Sequence, residues 1–212
     1  MEWARLVELV GRVRATSKKS EKVALIAELL RQARGREAEL AALYLTGSLP
    51  QGRIGVGWRT LEPAMPSGPA LGDPLTLRRV DEALSAVATE TGPGSAERRL
   101  RALRALLEAT DEPGRRLLVE LLLGEVRQGA LQGLVIEAIA RAASLAPADV
   151  RAAAMYAPSL GELARKRFEE TCAGSQVAGL EQRDDHREEG EAPRVVVGAG
   201  DEREHFELRL HA

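Results

Sequence analysis

Two glycine-flanked turns hold the residues of this chain best suited to chemistry, and that chemistry is the holding of an anion. The first runs Gly47-Ser48-Leu49-Pro50-Gln51-Gly52-Arg53-Ile54-Gly55-Val56-Gly57, and the second runs Gly124-Glu125-Val126-Arg127-Gln128-Gly129. Where a helix begins, unpaired backbone N–H groups and the positive end of the macrodipole attract negative charge. A glycine beside such a start has no Cβ to hold a phosphate away from the backbone. Arg53, Arg59, Arg98 and Arg127 lie in or near these segments, where a guanidinium adds charge-assisted contacts. Contacts of this kind fix position without reading a base sequence. The same glycines also fit ordinary helix C-caps, and the sequence leaves both readings open. Gly55-x-Gly57 is no dinucleotide fingerprint, because no third glycine follows and no strand precedes it.

Other chemistries find little to work with. All three histidines, His186, His205 and His211, sit near the C-terminus, so the remainder offers no Ser–His or Cys–His pair. Cys172 is the only cysteine, which excludes an intramolecular disulfide, makes a zinc site implausible and suits a reducing compartment. Glu188-Glu189 reads as solvated charge. The run Arg98-Arg99, Arg101 and Arg104 reads equally as a solvated helix face or a strip facing an anion. No apolar run approaches the roughly 20 residues of a membrane span, and Met1-Glu2-Trp3 opens no apolar signal core. A cytoplasmic protein without a membrane is expected.

The elements that must position the turns are helices. Hydrophobic residues make up 44% of the chain but aromatics only 3%, so the core must be built from Leu, Ala, Val and Ile. Leu and Ala favour helix, and the β-branched and aromatic residues of strands are sparse before residue 190. Trp3, Leu6, Val7, Val10 and Val13 line one face of a helix over about 2–15. Thr16-Ser17 offer cap-type side chains before a second helix through Val23–Leu30; Gly35 breaks it, and a third runs from Ala38 to Leu45. Residues 47–74 begin as a glycine-studded loop, and Pro63, Pro66, Pro69 and Pro74 then mark a poorly structured connection. Helical periodicity returns at Leu75–Thr91. Gly92-Pro93-Gly94-Ser95 then stops that helix and caps another over roughly 95–110. Further helices follow from Pro113 to Leu123 and near 130–143, 147–156 and 158–171.

An internal repeat organises these elements. Residues 22–52 slide onto 99–129 without a gap: Ile26 meets Leu103, Leu29-Leu30 meet Leu106-Leu107, Leu40 meets Leu117 and Leu45 meets Leu122. Leucine matches are cheap in so leucine-rich a chain. The Gly-x-x-x-Gln-Gly match, Gly47 with Gly124 and Gln51-Gly52 with Gln128-Gly129, is more telling. The fold class expected is all-α, with about ten helices and two pseudo-symmetric copies of a helical hairpin. Charge divides the chain as well. Residues 1–168 carry 25 Lys and Arg against 20 Asp and Glu, a net +5, whereas residues 169–212 carry 5 against 12, a net −7. A helical domain over 1–168 and an acidic, largely disordered tail over 169–212 are expected, with the tail competing against nucleic acid for the basic body.

As a set, these motifs resemble the N-terminal domain of ATP-dependent DNA ligases. The resemblance rests on Ala15-Thr16-Ser17-Lys18-Lys19, Leu45-Thr46-Gly47 and Gly52–Gly57 in the first half. Gly92–Ser95, Leu122–Gly129, Glu137–Ala140 and Val150–Met155 carry it in the second, and it spans about residues 3–165. It implies an all-helical domain with two pseudo-symmetric halves that bind the minor groove beside a nick, mostly through phosphates. The residues it assigns to DNA are Gly52, Arg53, Gly55, Gly57, Gly94, Ser95, Gly124, Arg127 and Gly129. Glu125 departs from the family, where a basic residue often follows the turn glycine, and weakens the phosphate contact expected there.

The resemblance also implies what these residues do not supply. The family's ligases use ATP and Mg to form a lysyl-adenylate at Lys-x-Asp-Gly. Here Lys18, Lys19, Lys22 and Lys166 are the only lysines, and none begins that motif. The expectation is therefore a monomeric domain that binds duplex or nicked DNA without sequence preference, needs no cofactor of its own and does not ligate alone. It leaves open a separate chain carrying the catalytic domain. The competing readings are a helical scaffold for protein partners and an inactive remnant of a ligase.

Overall fold

The computed structural model describes residues 1–126 and 131–174. Among these residues the backbone forms ten α-helices. They are α1 (Trp3–Ala15), α2 (Lys19–Gln32), α3 (Arg36–Leu45), α4 (Trp58–Leu61), α5 (Leu77–Thr89), α6 (Ser95–Glu108), α7 (Glu112–Leu123), α8 (Leu131–Ala142), α9 (Pro147–Tyr156) and α10 (Leu160–Gly174). The only β-pairing among the described residues is an isolated antiparallel bridge between Glu2 and Thr76. The chain is all-α, as its Leu- and Ala-rich composition requires. Because α10 continues to Gly174, the helical body extends past the boundary expected at residue 168. The acidic stretch beyond residue 174 lies outside the described residues.

The repeat expected from the sequence is visible in the burial pattern. Ile26, Leu29 and Leu30 of α2 are buried, and so are Leu103, Leu106 and Leu107 of α6, at the offset of 77. Leu40, Ala41, Tyr44 and Leu45 of α3 match Leu117, Leu118, Leu121 and Leu122 of α7 in the same way. The hairpins also end alike. The Gly47 N–H donates to the Tyr44 carbonyl (3.1 Å) and the Ser48 N–H to that of Leu43 (2.9 Å). In the second copy Gly124 donates to Leu121 (3.2 Å) and Glu125 to Glu120 (2.8 Å), and the two glycines have φ of 73° and 66°. This paired bonding is the Schellman motif, which closes the helix carbonyls and calls for glycine at its left-handed position.

The packing is reciprocal too. In each half the first helix rests on the other half's hairpin: α1 packs against α7, and α5 packs against α3. The starts of α1 and α5 are tied together by a symmetric pair of bonds. Trp3 N–H donates to the Leu75 carbonyl (2.7 Å), and Leu77 N–H donates to that of Met1 (3.0 Å). Further along, α2 packs on α8 while α6 packs on α4 and the turn after it, so each hairpin is covered by the element following the other. One continuous core results, running from Trp3 to Phe168. Burial of apolar surface at about 25 cal/mol per Å² is its main driving force.

Trp3 marks the tightest part of that core. Its ring meets Tyr44 edge-on, with centroids 5.9 Å apart and an interplanar angle of 75°. Its indole N–H points at the Gly114 carbonyl, 3.4 Å away. A Cβ on Gly114 would stand 2.0 Å from Thr110 Oγ1 and 3.0 Å from the Trp3 Nε1, so only glycine fits there.

Two local readings need correction. The segment 47–74, expected as a glycine-studded loop and then a poorly structured connection, contains α4 and a 3-10 turn over Glu62–Ala64, with Leu61 and Ala64 fully buried. Pro63 sits in the first positions of that turn, where its missing N–H costs nothing. The start of α2 is also built differently from a simple cap. Its N-cap is Lys18, and Thr16 Oγ1 accepts the Lys18 N–H (3.2 Å) while donating to Glu21 (2.6 Å).

Candidate nucleic-acid interface

The segment from Gln51 to Arg59 is positioned from beneath by a polar anchor. Gln51 Nε2 donates to the Asp81 carbonyl (3.1 Å), to Asp81 Oδ1 (2.7 Å) and to Ser85 Oγ (2.7 Å), which fixes the loop on α5. Asp81 is buried and also accepts from Arg36 Nε (3.1 Å) and Nη2 (2.7 Å), so α3, α5 and the loop share one carboxylate. Burial opposes the charge on Arg36, but its hydrogen bonds to Asp81 and Glu39 outweigh that and raise its pKa. Tyr44 lies beside this pair. Burial, reinforced by the Asp81 charge, pushes its phenol well above the ordinary value of 10.0.

From this anchor the chain continues through buried and exposed residues in turn. Ile54 and Val56 are buried while Arg53, Gly55 and Gly57 are exposed. The Arg99 guanidinium, one turn into α6, donates to the Ile54 carbonyl and clamps the segment down. Gly52 and Gly55 have φ of 67° and 65°, a left-handed region that disfavours a Cβ. Gly57, with φ of −117°, carries no such demand, and a Cβ there would meet nothing within 4 Å. Its backbone is therefore open by steric choice rather than by conformational need.

The charges at this surface differ in how far they are committed. Arg53 and Arg59 are exposed and have no hydrogen-bond or ion-pair partner among the described residues. Arg99 is bonded to a neutral carbonyl and not to a carboxylate, with Nη2 3.8 Å from where a Cβ on Gly55 would stand. Arg104 likewise donates to the Pro63 carbonyl. The arginine run of α6 thus includes two clamps on the preceding loop, a role its local sequence did not suggest. Arg98 is spent locally: it pairs with Glu90 at 2.7 Å and donates to the Pro93 (3.0 Å) and Thr91 (3.2 Å) carbonyls.

The other expected residues are placed as follows. Gly94 is the left-handed N-cap of α6 (φ 74°), and Ser95 is its first residue. The folded-back Arg98 covers this start, with Nη1 3.0 Å from a Cβ at Gly94. Through Arg99 and the Ile54 carbonyl, α6 and the 53–57 segment are joined in one region. Gly124 is exposed at the end of α7 beside exposed Glu125, and its backbone angles are those of the Schellman cap. This second turn meets the first, because Val126 packs so closely on Gly47 that a Cβ there would stand 2.9 Å from it. Arg127 and Gly129 lie outside the described residues. Sequence reasoning passed over Trp58, whose indole is 53% exposed between Gly57 and Arg59. The signal available was a tryptophan set between Gly57 and Arg59 in a stretch rich in glycine and arginine.

This geometry presents open backbone and uncommitted guanidinium groups on a helical body, and sequence comparison relates it to a family. Residues 62–140 match the family described as DNA ligase N terminus. Over these residues the chain is similar to the DNA ligase N-terminal family. It is 44% identical over 173 residues to a probable DNA ligase of Anaeromyxobacter sp. (strain K), covering 81% of this chain and 34% of that protein. Over 161 residues it is 47% identical to a probable DNA ligase of Streptomyces griseus, covering 76% of this chain and 31% of the relative. A probable DNA ligase of Nocardia farcinica is 43% identical over 160 residues, or 76% of this chain and 30% of its own length. The chain thus spans about a third of the length of the curated relatives it matches. A stretch covering 81% of 212 residues necessarily includes Gly52–Gly57, so the open loop lies within the ligase-like region although it precedes the family match at 62–140.

Proposed function

We propose that this ligase-like domain binds duplex or nicked DNA through its sugar–phosphate backbone, without sequence preference. One observation carries the reading. Arg53 and Arg59 are exposed and without a partner among the described residues, beside the open backbone of Gly55 and Gly57, in a region shared with proteins named as probable DNA ligases. Backbone N–H groups and guanidinium forks are the usual ligands of phosphate oxygens, and neither distinguishes one base pair from another. Gly94, Ser95, Gly124, Arg127 and Gly129 complete the proposed contact set in the second half. Minor-groove phosphates beside a nick are the proposed ligand, and DNA repair, recombination or replication in the cytoplasm or nucleoid the proposed setting.

Ligation by these 212 residues alone is not part of the proposal. None of Lys18, Lys19, Lys22 and Lys166 is followed by x-Asp-Gly, so the nucleophile for adenylation is missing from the sequence. ATP and Mg are in this reading assigned to the catalytic domain of the full ligases and not to these residues. A catalytic domain, on this or a separate chain, is the expected protein partner. One feature favours the scaffold reading beside the DNA reading, namely Met155 and Tyr156, which are 81% and 77% exposed at the end of α9.

The test is fluorescence anisotropy of labelled intact and nicked duplexes over a salt series. Affinity should be tolerant of sequence and fall steeply with salt, as counterion release requires. Incubation with α-phosphate-labelled ATP and Mg should leave the chain unlabelled. Salt-independent or absent DNA binding contradicts the proposal, and covalent label on the chain contradicts its second part.

A further inference from the structure

Trp58 is the one large aromatic side chain that the DNA-facing loop leaves uncovered. The other tryptophan, Trp3, is fully buried, so the difference between the two is local and not a property of composition. An indole half exposed to water gains by meeting an apolar partner, at about 25 cal/mol per Å² covered. What surrounds it restricts the choice of partner. Along the chain, exposed Arg53, Gly55 and Gly57 precede it and exposed Arg59 follows it, and the Arg99 guanidinium lies close to Gly55. A purely apolar protein surface would have to desolvate the two guanidinium groups without pairing them, which is costly. A nucleic-acid strand answers both requirements, because its phosphates alternate with sugar rings whose edges are apolar.

We propose that the Trp58 indole packs against a deoxyribose of the duplex strand whose adjacent phosphates are held by Arg53 and Arg59. This rests on the DNA-binding reading and adds an apolar contact to it. Ile54 and Val56 are buried and anchor the segment, Arg53, Gly55 and Gly57 are exposed, and Trp58 follows Gly57 as the exposed first residue of α4. Every nucleotide carries the same sugar, so the contact adds affinity without adding sequence preference. It also differs from the arginine contacts in its response to salt, since an indole releases no counterion.

The test uses the full chain, with labelled intact duplex at two or more salt concentrations. Trp58→Ala is expected to weaken binding about tenfold at every salt while leaving the slope of log affinity against log salt unchanged. Arg53→Ala should instead lower that slope by about one unit. In the wild type, duplex should alter the tryptophan emission and protect it from acrylamide, and both effects should vanish in Trp58→Phe. Trp3 remains in that variant, and its unchanged emission serves as the check that the core is intact. A wild type that binds duplex with no change in emission or quenching, or a Trp58→Ala chain that binds as tightly, overturns the inference and leaves DNA binding standing. Protection of Trp58 that grows with protein concentration in the absence of DNA also overturns it, in favour of a second copy of the chain. No duplex binding by the wild type overturns the DNA-binding reading together with this one.

Discussion

Replacing Gly57 by alanine separates what the loop needs for folding from what it needs for a ligand. At φ −117° and ψ 175° Gly57 already occupies backbone space that any residue adopts, and a new Cβ meets nothing within 4 Å. Restricting the unfolded chain then stabilises the protein by about 0.4–1 kcal/mol. Gly52→Ala is the control, because its surroundings are just as open but its φ is 67°. There the left-handed backbone costs about 1–2 kcal/mol. The unfolded-state gain is common to both variants, so they should lie about 1–2 kcal/mol apart, a difference of several degrees in Tm for a domain of this size. DNA affinity should run the other way for Gly57→Ala, the more stable of the two. Its methyl group stands where a phosphate must approach the backbone, and losing one charge-assisted hydrogen bond of about 1.5 kcal/mol weakens binding roughly tenfold. Thermal melts followed by circular dichroism, with anisotropy on a labelled duplex, give both readouts. A Gly57→Ala chain that is at least as stable as the wild type and binds equally well would refute the claim that a ligand approaches this backbone.

Two further outcomes follow from the core. Gly114→Ala places a Cβ 2.0 Å from Thr110 Oγ1 and against Trp3, and should destabilise by about 1–3 kcal/mol, measured as a lowered urea midpoint. Tyr44 has its pKa raised in the folded state, so its contribution to stability is fully present below the unfolded value near 10 and is lost as pH rises above it. Stability should decline from about pH 10 upward, and Tyr44→Phe should flatten that decline in denaturant titrations at pH 9 and 11.

The helices and the repeat could be read from sequence because they depend on near-neighbour spacing. Leucine at three- and four-residue intervals marks the buried faces of α2 and α6, and one glycine closes each hairpin with the same two hydrogen bonds. The short helix α4 could not be read this way. Four residues give no periodicity, and what orders them is the burial of Leu61 and Ala64 against the rest of the fold. The same limit hid the working parts of the candidate site. Arg99 and Arg104 grip carbonyls 45 and 41 positions away, and Gln51 reaches Asp81 across 30, so their roles depend on tertiary placement. Within a helix the arginines of α6 look alike; only the fold separates Arg98, held by Glu90, from the clamps. Gly124 shows the converse, since its conformation is accounted for by helix capping whether or not an anion binds there.

The most direct test of the account is the salt dependence of duplex binding by the full chain and by an Arg53→Ala/Arg59→Ala double variant. If these two uncommitted guanidinium groups hold phosphates, the double variant should bind more weakly on every sequence, with a salt slope lower by up to about two units. An unchanged slope and affinity, with the helical spectrum and Tm of the wild type retained, would contradict the assignment of this loop to DNA.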